Sequence, residues 1–243
     1  MSVKDHYENH LAHFYSWMHG DRLTHQHEFT AFLQTHQVKP RQSKRAIDFG
    51  AGHGLQSIPL AAIGFNVLAI DFNETLLAEL NLYKNNLPVE TMPADMRDVL
   101  KHQAASPELI VCCGDTLLHL ESKNAIRQFL KDCVIILQDA GKLVLSFRDY
   151  SNELTGNARF IPVRQDDHRI ATCVLEYTAD VIHVTDLLYE KETTGWKQKI
   201  SAYKKVRMTP NEIMDFLRGL EIEITHSEMI KGMFWLIAVK KIN

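Results

Sequence analysis

The sequence predicts an α/β protein whose Rossmann-like, seven-stranded sheet carries an inserted antiparallel β meander. Apolar, strand-like runs alternate with helical stretches from residue 45 to residue 148. The first of these runs ends in a glycine-dense turn at residues 50–54. After residue 150, four strand-like runs follow one another with only turn residues between them. Alternating strands and helices predict a parallel sheet, and consecutive strands predict a meander.

Composition limits the classes of protein that this chain can be. Its 243 residues are 45% hydrophobic, with a formal net charge of −3, which is enough apolar material for a sizeable core. The net charge does not favour a nucleic-acid surface, and no apolar run has the length of a membrane span. The four cysteines form no CxxC pair, so we expect reduced core thiols, a cytoplasmic protein and no metal site.

The first 36 residues carry helical periodicity. Tyr7, Leu11, Phe14 and Met18 recur at spacings of four and three, which predicts one apolar helical stripe that Gly20 ends. A second helix is expected over residues 24–34. Seven of the thirteen histidines precede residue 37, and a solvated helix face is the expectation for them.

The glycine turn is the most informative feature of the chain. The strand at residues 45–49 runs into glycines 50, 52 and 54, and a helix is expected over residues 55–63. The next strand, residues 66–71, ends in an aspartate. Backbone N–H groups at a helix start, together with an acid at the tip of the neighbouring strand, predict a ligand that contains a nucleoside. A dinucleotide fingerprint would need glycine where Leu55 stands, which disfavours a nicotinamide-dependent dehydrogenase.

The parallel part of the sheet is completed by three more strand and helix units. Helices are expected at residues 74–86, near 95–101 and at 121–138, and strands at 88–92, 108–113 and 142–148. Ligands bind such sheets outside the carboxyl ends of the strands. Five residues fall near strand ends of that kind: Asp48, Asp71, Asp95, Cys113 and Arg148.

The second half of the chain predicts the meander and a final hairpin. Strands are expected at residues 159–164, 170–178, 181–190 and 196–207. Thr209 and Pro210 indicate the start of a helix that ends near Gly219. Strands at 221–229 and 233–241 follow. We therefore divide the chain into residues 1–40, a core at 41–150, an insertion at 151–208 and a C-terminal part at 209–243.

The pattern acid-x-G-x-G-x-G, from Asp48 to Gly54, resembles motif I of the class I S-adenosylmethionine-dependent methyltransferases. The overall layout is similar to that of glycine N-methyltransferase. Three stretches carry this likeness: residues 20–22, residues 114–120 and the strand-rich insertion. The resemblance implies S-adenosylmethionine as cofactor, S-adenosylhomocysteine as product, and an N-terminal segment (residues 1–40) that closes over the cofactor.

The resemblance also implies the cofactor contacts. Gly50, Gly52 and Gly54 would line the methionine part, and Asp48 would steady the loop or reach the cofactor ammonium through water. Asp71 would hold the ribose hydroxyls. The remaining contacts would be Phe72 and Met96 against the adenine, Asp95 to its amino group, the Cys113 backbone to the ammonium, and Arg22 to the carboxylate.

Candidates for chemistry and acceptor binding lie after the last two parallel strands. Asp115 and His119 are four residues apart, and either is a candidate general base; a cap and a packed ring are the alternatives. Arg148 and Tyr150 would reach the acceptor from the pocket rim, although Arg148 could instead pair with Asp149. Tyr203, on the last insertion strand, either faces the acceptor or packs in the meander.

The predicted function is methyl transfer to a nitrogen or oxygen of a small molecule, driven mainly by alignment of donor and acceptor. We expect the insertion to roof the acceptor pocket and expect neither nucleic-acid nor membrane partners; a homodimer is compatible with the sequence. Two alternatives stay open. One is an RNA or protein methyltransferase of the same fold, and the other is a non-catalytic S-adenosylmethionine-binding protein.

Overall fold

The computed structural model describes residues 2–242, and its main feature is a seven-stranded mixed sheet. The strand order is β10-β11-β5-β4-β1-β2-β3. Strands β1 to β5 run parallel, β11 pairs antiparallel with β5, and β10 pairs antiparallel with β11. Their bounds are β1 Arg45–Phe49, β2 Asn66–Asp71, β3 Val89–Pro93, β4 Leu109–Cys112, β5 Lys142–Arg148, β10 Ile222–Ile230 and β11 Met233–Lys240. The predicted seven-stranded sheet is confirmed.

Seven α-helices accompany the sheets in the described residues. They are α1 Val3–Asn9, α2 Tyr15–His19, α3 Arg22–Thr35, α4 Ser57–Ala62, α5 Glu74–Tyr83, α6 Lys123–Ile136 and α7 Pro210–Arg218. Within residues 2–242, none of these helices is both long and apolar enough to cross a membrane.

The core lies on both faces of the large sheet, because neighbouring strand residues point to opposite faces. In β1, Ile47 and Phe49 pack on the α6 side, whereas Ala46 belongs to the cluster under α3 and α4. In β4, Ile110 faces α6 and Val111 faces the other side. Burial on both faces explains why these strands are apolar runs without alternation.

The predicted meander forms a separate four-stranded antiparallel sheet in the order β6-β7-β8-β9. Its strands are β6 Phe160–Gln165, β7 Arg169–Tyr177, β8 Val181–Glu192 and β9 Gly195–Val206. Leu175, Ile182 and Val184 of this sheet join the same buried cluster as Phe147 of β5. The inner face of the meander therefore packs on the carboxyl ends of the core strands.

The N-terminal segment departs from the predicted single helix. It is broken at His10 (φ −139°) and Phe14 (φ −130°), with a 3₁₀ turn between them at Leu11–His13. The breaks let Leu11 and Phe14 pack on Ala171 and Leu188 of the meander. Tertiary contacts with the insertion override the local periodicity here. They also bury His6 and His10, two of the histidines that were expected on a solvated helix face.

Local capping signals were a better guide at the C-terminal helix. Thr209 caps α7 in a capping box with Glu212, and Pro210 is its first residue, as predicted.

The helix expected near residues 95–101 is instead a 3₁₀ helix at Val99–Ala105. The backbone at Asp95 and Arg97 is held in a turn by the Asp95 carboxylate, which accepts from the Arg97 N–H.

Candidate active site

The glycine turn joins β1 to α4 through three residues with positive φ. Gly50, Gly52 and Gly54 have φ values of 74°, 51° and 92°. A Cβ on Gly50 would lie 2.2 Å from Thr116, and one on Gly54 would lie 2.8 Å from Leu80. These two glycines are required by close packing. A Cβ on Gly52 would meet nothing closer than the Tyr15 ring at 3.8 Å, so this is the one glycine of the three that close packing does not require.

Asp71, at the end of β2, is bound to that turn. Its Oδ2 accepts from the Gly52 N–H at 2.8 Å, and its Oδ1 accepts from the Asn73 N–H at 2.8 Å. Burial raises the pKa of this carboxyl above its usual value, while the backbone donors oppose the rise. Each carboxylate oxygen has a second lone pair, so this carboxylate retains acceptor capacity for hydroxyl donors.

Asp48 lies beneath the turn. It is 1% exposed, and its Oδ2 accepts from the Ser57 hydroxyl at 2.5 Å. Burial raises the pKa of Asp48 to about 7. The bond links the end of β1 to the first residue of α4, which fits the predicted part of this aspartate in steadying the loop.

Of the other predicted cofactor residues, Phe72 follows β2, Asp95 and Met96 follow β3, and Arg22 begins α3. Phe72 lies half-buried after Asp71, and Met96 packs against the main core. Asp95 forms an exposed ion pair with Arg97. Arg22 lies 4.0 Å from the ring centroid of Tyr83.

The loop after β4 brings a further residue to the turn. The Cys113 carbonyl accepts from the Thr116 hydroxyl at 2.8 Å. Thr116 in turn packs on Gly50, so the two loops are directly in contact. Thr116 belongs to the stretch 114–120 that carries the resemblance, but nothing in the sequence gave it a role of its own, since a threonine after a strand has many ordinary roles.

Asp115 is the centre of a buried polar network. It adopts a left-handed conformation (φ 75°), and its carboxylate accepts from the Arg148 N–H at 2.9 Å and the Tyr150 hydroxyl at 3.2 Å. The Lys205 ammonium also donates to it. Burial alone would raise the pKa of Asp115, but the Lys205 charge and these donors hold it below its usual value.

Lys205 is a residue of this network that the sequence pattern did not single out. It is 8% exposed and reaches inward from β9 to Asp115. Burial lowers its pKa, but the Asp115 carboxylate more than compensates, so the pKa of Lys205 lies well above its usual value. The strand alternation offered a signal, because Tyr203 and Lys205 share one face of β9, opposite to Lys204.

His119 stands beside this network within an aromatic enclosure. Its ring stacks on Tyr203 at a centroid distance of 5.4 Å and meets the edge of Tyr7 at 5.7 Å. Tyr7 also contacts Phe72 at 5.5 Å, so it bridges the ends of β2 and β4. Burial, aided by the Lys205 charge, lowers the pKa of His119 to about 3. The buried Nδ1 of this ring has no hydrogen-bond partner in residues 2–242.

The two residues predicted at the pocket rim, Arg148 and Tyr150, lie at the end of β5 and just after it. Arg148 is exposed, and its guanidinium makes no ion pair in the described part of the chain. The alternative pairing with Asp149 is absent, because the Asp149 carboxylate accepts from the N–H and hydroxyl of Ser151. Tyr150 is 5% exposed and faces Asp115.

The N-terminal segment covers the enclosure from the outside. His6 is fully buried, with Nδ1 2.8 Å from the Ser201 hydroxyl and Nε2 3.1 Å from the Asp186 carboxylate. Its ring stacks on Tyr203 at 4.2 Å. Tyr15, further along the segment, lies above Gly52. Segment, glycine turn and insertion thus meet at one place.

Comparison with known proteins relates part of this chain to methyltransferases. Residues 46–141 match the family model described as a methyltransferase domain. Glycine/sarcosine N-methyltransferase from Aphanothece halophytica is 28% identical over 155 residues, covering 60% of this chain and 57% of that protein. Ubiquinone biosynthesis O-methyltransferase from Xanthomonas axonopodis pv. citri is 32% identical over 104 residues, covering 42% of each. The chain thus spans about half the length of the curated relatives it matches.

Solved structures extend the likeness to almost the whole fold. DesVI from Streptomyces venezuelae superimposes with a TM-score of 0.73 at 10% identity, covering 96% of this chain and 98% of that one. CalS10, an amino pentose methyltransferase from Micromonospora echinaspora solved with S-adenosylmethionine bound, gives a TM-score of 0.71 at 14% identity and covers 92% and 94%. At these identities the likeness concerns the fold.

Proposed function

We propose that this chain is a class I S-adenosylmethionine-dependent methyltransferase and that it methylates the nitrogen of a small amine that also carries a carboxylate. One observation carries the proposal. The buried Nδ1 of His119 has no hydrogen-bond partner in residues 2–242, and its aromatic enclosure lies beside the Asp115 network, which the Arg148 backbone joins. A buried polar atom without a partner costs free energy, which a bound ligand atom would offset. The names of relatives that act on glycine and sarcosine support an amino-acid acceptor.

The cofactor would lie against the glycine turn. Asp71 would accept from the ribose hydroxyls with its remaining lone pairs, and the cofactor would lie against the Gly52 backbone, on the side that Tyr15 covers. Phe72 and Met96 would pack on the adenine. When bound, S-adenosylmethionine supplies a methyl group on an already activated sulfur. The protein then has mainly to align the acceptor, and alignment can lower a barrier by roughly 7–11 kcal/mol.

His119 would orient the acceptor nitrogen. With a pKa of about 3 its ring stays neutral at physiological pH, so Nδ1 can accept a hydrogen bond from a neutral amine. A neutral amine already has the lone pair that attacks the methyl group. A ring of such low basicity acts by accepting a hydrogen bond from the acceptor N–H. The methylated ammonium product loses its proton afterwards.

Asp115 would act as a positioning residue in this scheme. Its carboxylate is already occupied by Lys205, Tyr150 and the Arg148 N–H, and its lowered pKa makes it a poor base. It would fix Tyr150 and the β5 end, and thereby the rim that carries the Arg148 side chain.

Arg148 would bind the anionic end of the acceptor. A guanidinium matches a carboxylate with two parallel hydrogen bonds, and the exposed Arg148 side chain has no ion pair within residues 2–242 that would compete with such a ligand. The insertion at residues 151–208 would roof this pocket and the first 40 residues would close its side, an enclosure that favours a metabolite over a polymer.

The test is a methyl-transfer assay on the purified full-length protein. The panel contains short amino acids, the corresponding amines without the carboxylate, the corresponding hydroxy acids and RNA oligonucleotides. We expect turnover on amino acids and a KM at least about tenfold higher for the amines, since a charged hydrogen-bonded pair contributes about 1.5–3 kcal/mol.

Two variants sharpen the assay. Arg148→Met should raise KM for the amino acid and leave KM for the amine unchanged, whereas Arg127→Met, at a half-buried arginine of α6 that donates to Asn124, should change neither. Turnover of hydroxy acids alone would establish oxygen as the acceptor atom. Methylation of RNA alone, or tight S-adenosylmethionine binding without any turnover, would refute the proposal.

A further inference from the structure

Two histidines and a glutamate converge at the free edge of the seven-stranded sheet, on an edge strand and not at the glycine turn. His36 is the C-cap residue of α3. His226 and Glu228 are two residues apart on β10, so their side chains leave the same face of that strand. They form the one group of three potential metal-ligating side chains found in residues 2–242.

The three side chains point at one place. The Glu228 Oε1 lies 2.8 Å from His226 Nε2 and 3.3 Å from His36 Nε2. All three ligand atoms lie within 4.8 Å of one another. Two ligands bound to zinc at tetrahedral angles lie roughly 3.4 Å apart, given metal–ligand distances of about 2.0–2.1 Å. The ring nitrogens and the carboxylate therefore need little movement to share one ion.

The surroundings hold the two rings in position. The His36 and His226 ring centroids are 3.9 Å apart, and the Phe32 ring lies 4.5 Å from His36. Trp235 packs on Phe32 at 4.6 Å. The side chains of His36, His226 and Glu228 are 17%, 28% and 39% exposed, so solvent reaches the point where they meet. An ion could enter there and complete its coordination with water.

We propose that His36, His226 and Glu228 form a binding site for a divalent transition-metal ion. Imidazole nitrogen and carboxylate oxygen suit zinc, and two histidines with one glutamate leave a fourth position for water. The ion would connect α3 to β10. Since α3 follows directly on α1 and α2, which cover the candidate active site, the ion would fix the base of these two helices to the sheet edge.

Calorimetric titration of the full-length protein with zinc chloride tests the site, after removal of any affinity tag and treatment with EDTA. We expect one ion per chain. His226→Ala should weaken binding by more than about 100-fold, because losing even an outer-shell partner typically costs 10–100-fold. His27→Ala, an exposed histidine on the same helix α3, is the matched control and should bind as the wild type does.

Glu228→Gln provides a variant that preserves shape and hydrogen bonding while removing the negative charge. It should fold normally and bind zinc more weakly than the wild type. Zinc should raise the unfolding temperature of the wild type and of His27→Ala, but not that of His226→Ala. Absence of zinc binding in the wild type, or equal binding by His226→Ala and the wild type, would overturn the proposal. Neither outcome bears on methyl transfer, which is assayed separately.

Discussion

Lys205 and Asp115 form a buried ion pair that joins the last strand of the insertion to the end of β4. Their side chains are 9% and 6% exposed. The pair fixes the insertion over the core strands at the place where the acceptor would lie. It also determines the protonation of its surroundings, because the Lys205 charge helps to keep His119 neutral.

Removing one member of this pair should be costly. We expect Lys205→Met to lower the free energy of unfolding by about 3–5 kcal/mol, because it leaves the Asp115 charge buried without its cation. Denaturant titration measures this. The double variant Lys205→Met/Asp115→Asn should lose clearly less than the sum of the single variants. Lys197→Met, on the exposed part of the same strand, should cost less than about 1 kcal/mol. Additive single effects would contradict the coupling.

The glycines of the turn should separate into two kinds. Gly54→Ala places a Cβ 2.8 Å from Leu80 at φ 92°, so we expect a marked loss of stability. Gly52→Ala has room and a left-handed conformation that costs only about 1–2 kcal/mol. Its methyl group would instead occupy the cofactor space. Calorimetry should then show at least about tenfold weaker S-adenosylmethionine binding, with an unfolding temperature lower by only about 2–8 °C. Unchanged affinity would remove Gly52 from the cofactor site.

The buried carboxyl of Asp48 should make stability depend on pH. Its pKa is raised from 3.8 to about 7 in the folded chain. Between about pH 4 and pH 7 the folded state therefore holds a proton that the unfolded state has released, so stability falls as pH rises through this range. Asp48→Asn keeps an oxygen that accepts from the Ser57 hydroxyl, but its side-chain amide does not ionise in this pH range.

Unfolding measurements across that pH range check this expectation. The stability of Asp48→Asn relative to wild type should increase by up to about 4 kcal/mol between about pH 4 and pH 7 and stay constant above it. Parallel curves for the two proteins would show that Asp48 ionises in the folded chain much as it does in the unfolded one.

The N-terminal segment should depend on His6 for its docking. This fully buried ring contacts Ser201, Asp186 and Tyr203 of the insertion. We expect His6→Ala to increase amide hydrogen exchange in α1 and α2 by at least about tenfold while leaving the central strands protected. The exposed His13→Ala should leave exchange unchanged. Equal exchange in both variants would mean that other contacts, such as Leu11 and Phe14 on the meander, are sufficient.

The sequence by itself determined the parts of this protein that depend on local chemistry. Alternating apolar runs gave the parallel strands, because a strand buried on both faces needs apolar residues throughout. Three glycines at alternate positions indicated the turn, since positive φ and close approach exclude larger residues. Thr209 and Pro210 marked the start of α7, because capping involves only neighbouring residues.

Only the tertiary structure decided which polar residues meet. Lys205 pairs with a residue 90 positions earlier, and His36 meets His226 across 190 positions, so no local spacing indicates either contact. The bends at His10 and Phe14 have the same origin, since packing on the insertion outweighs helical periodicity. Long-range burial sets the energies of these contacts, and burial depends on the complete fold, not on neighbouring residues in the chain.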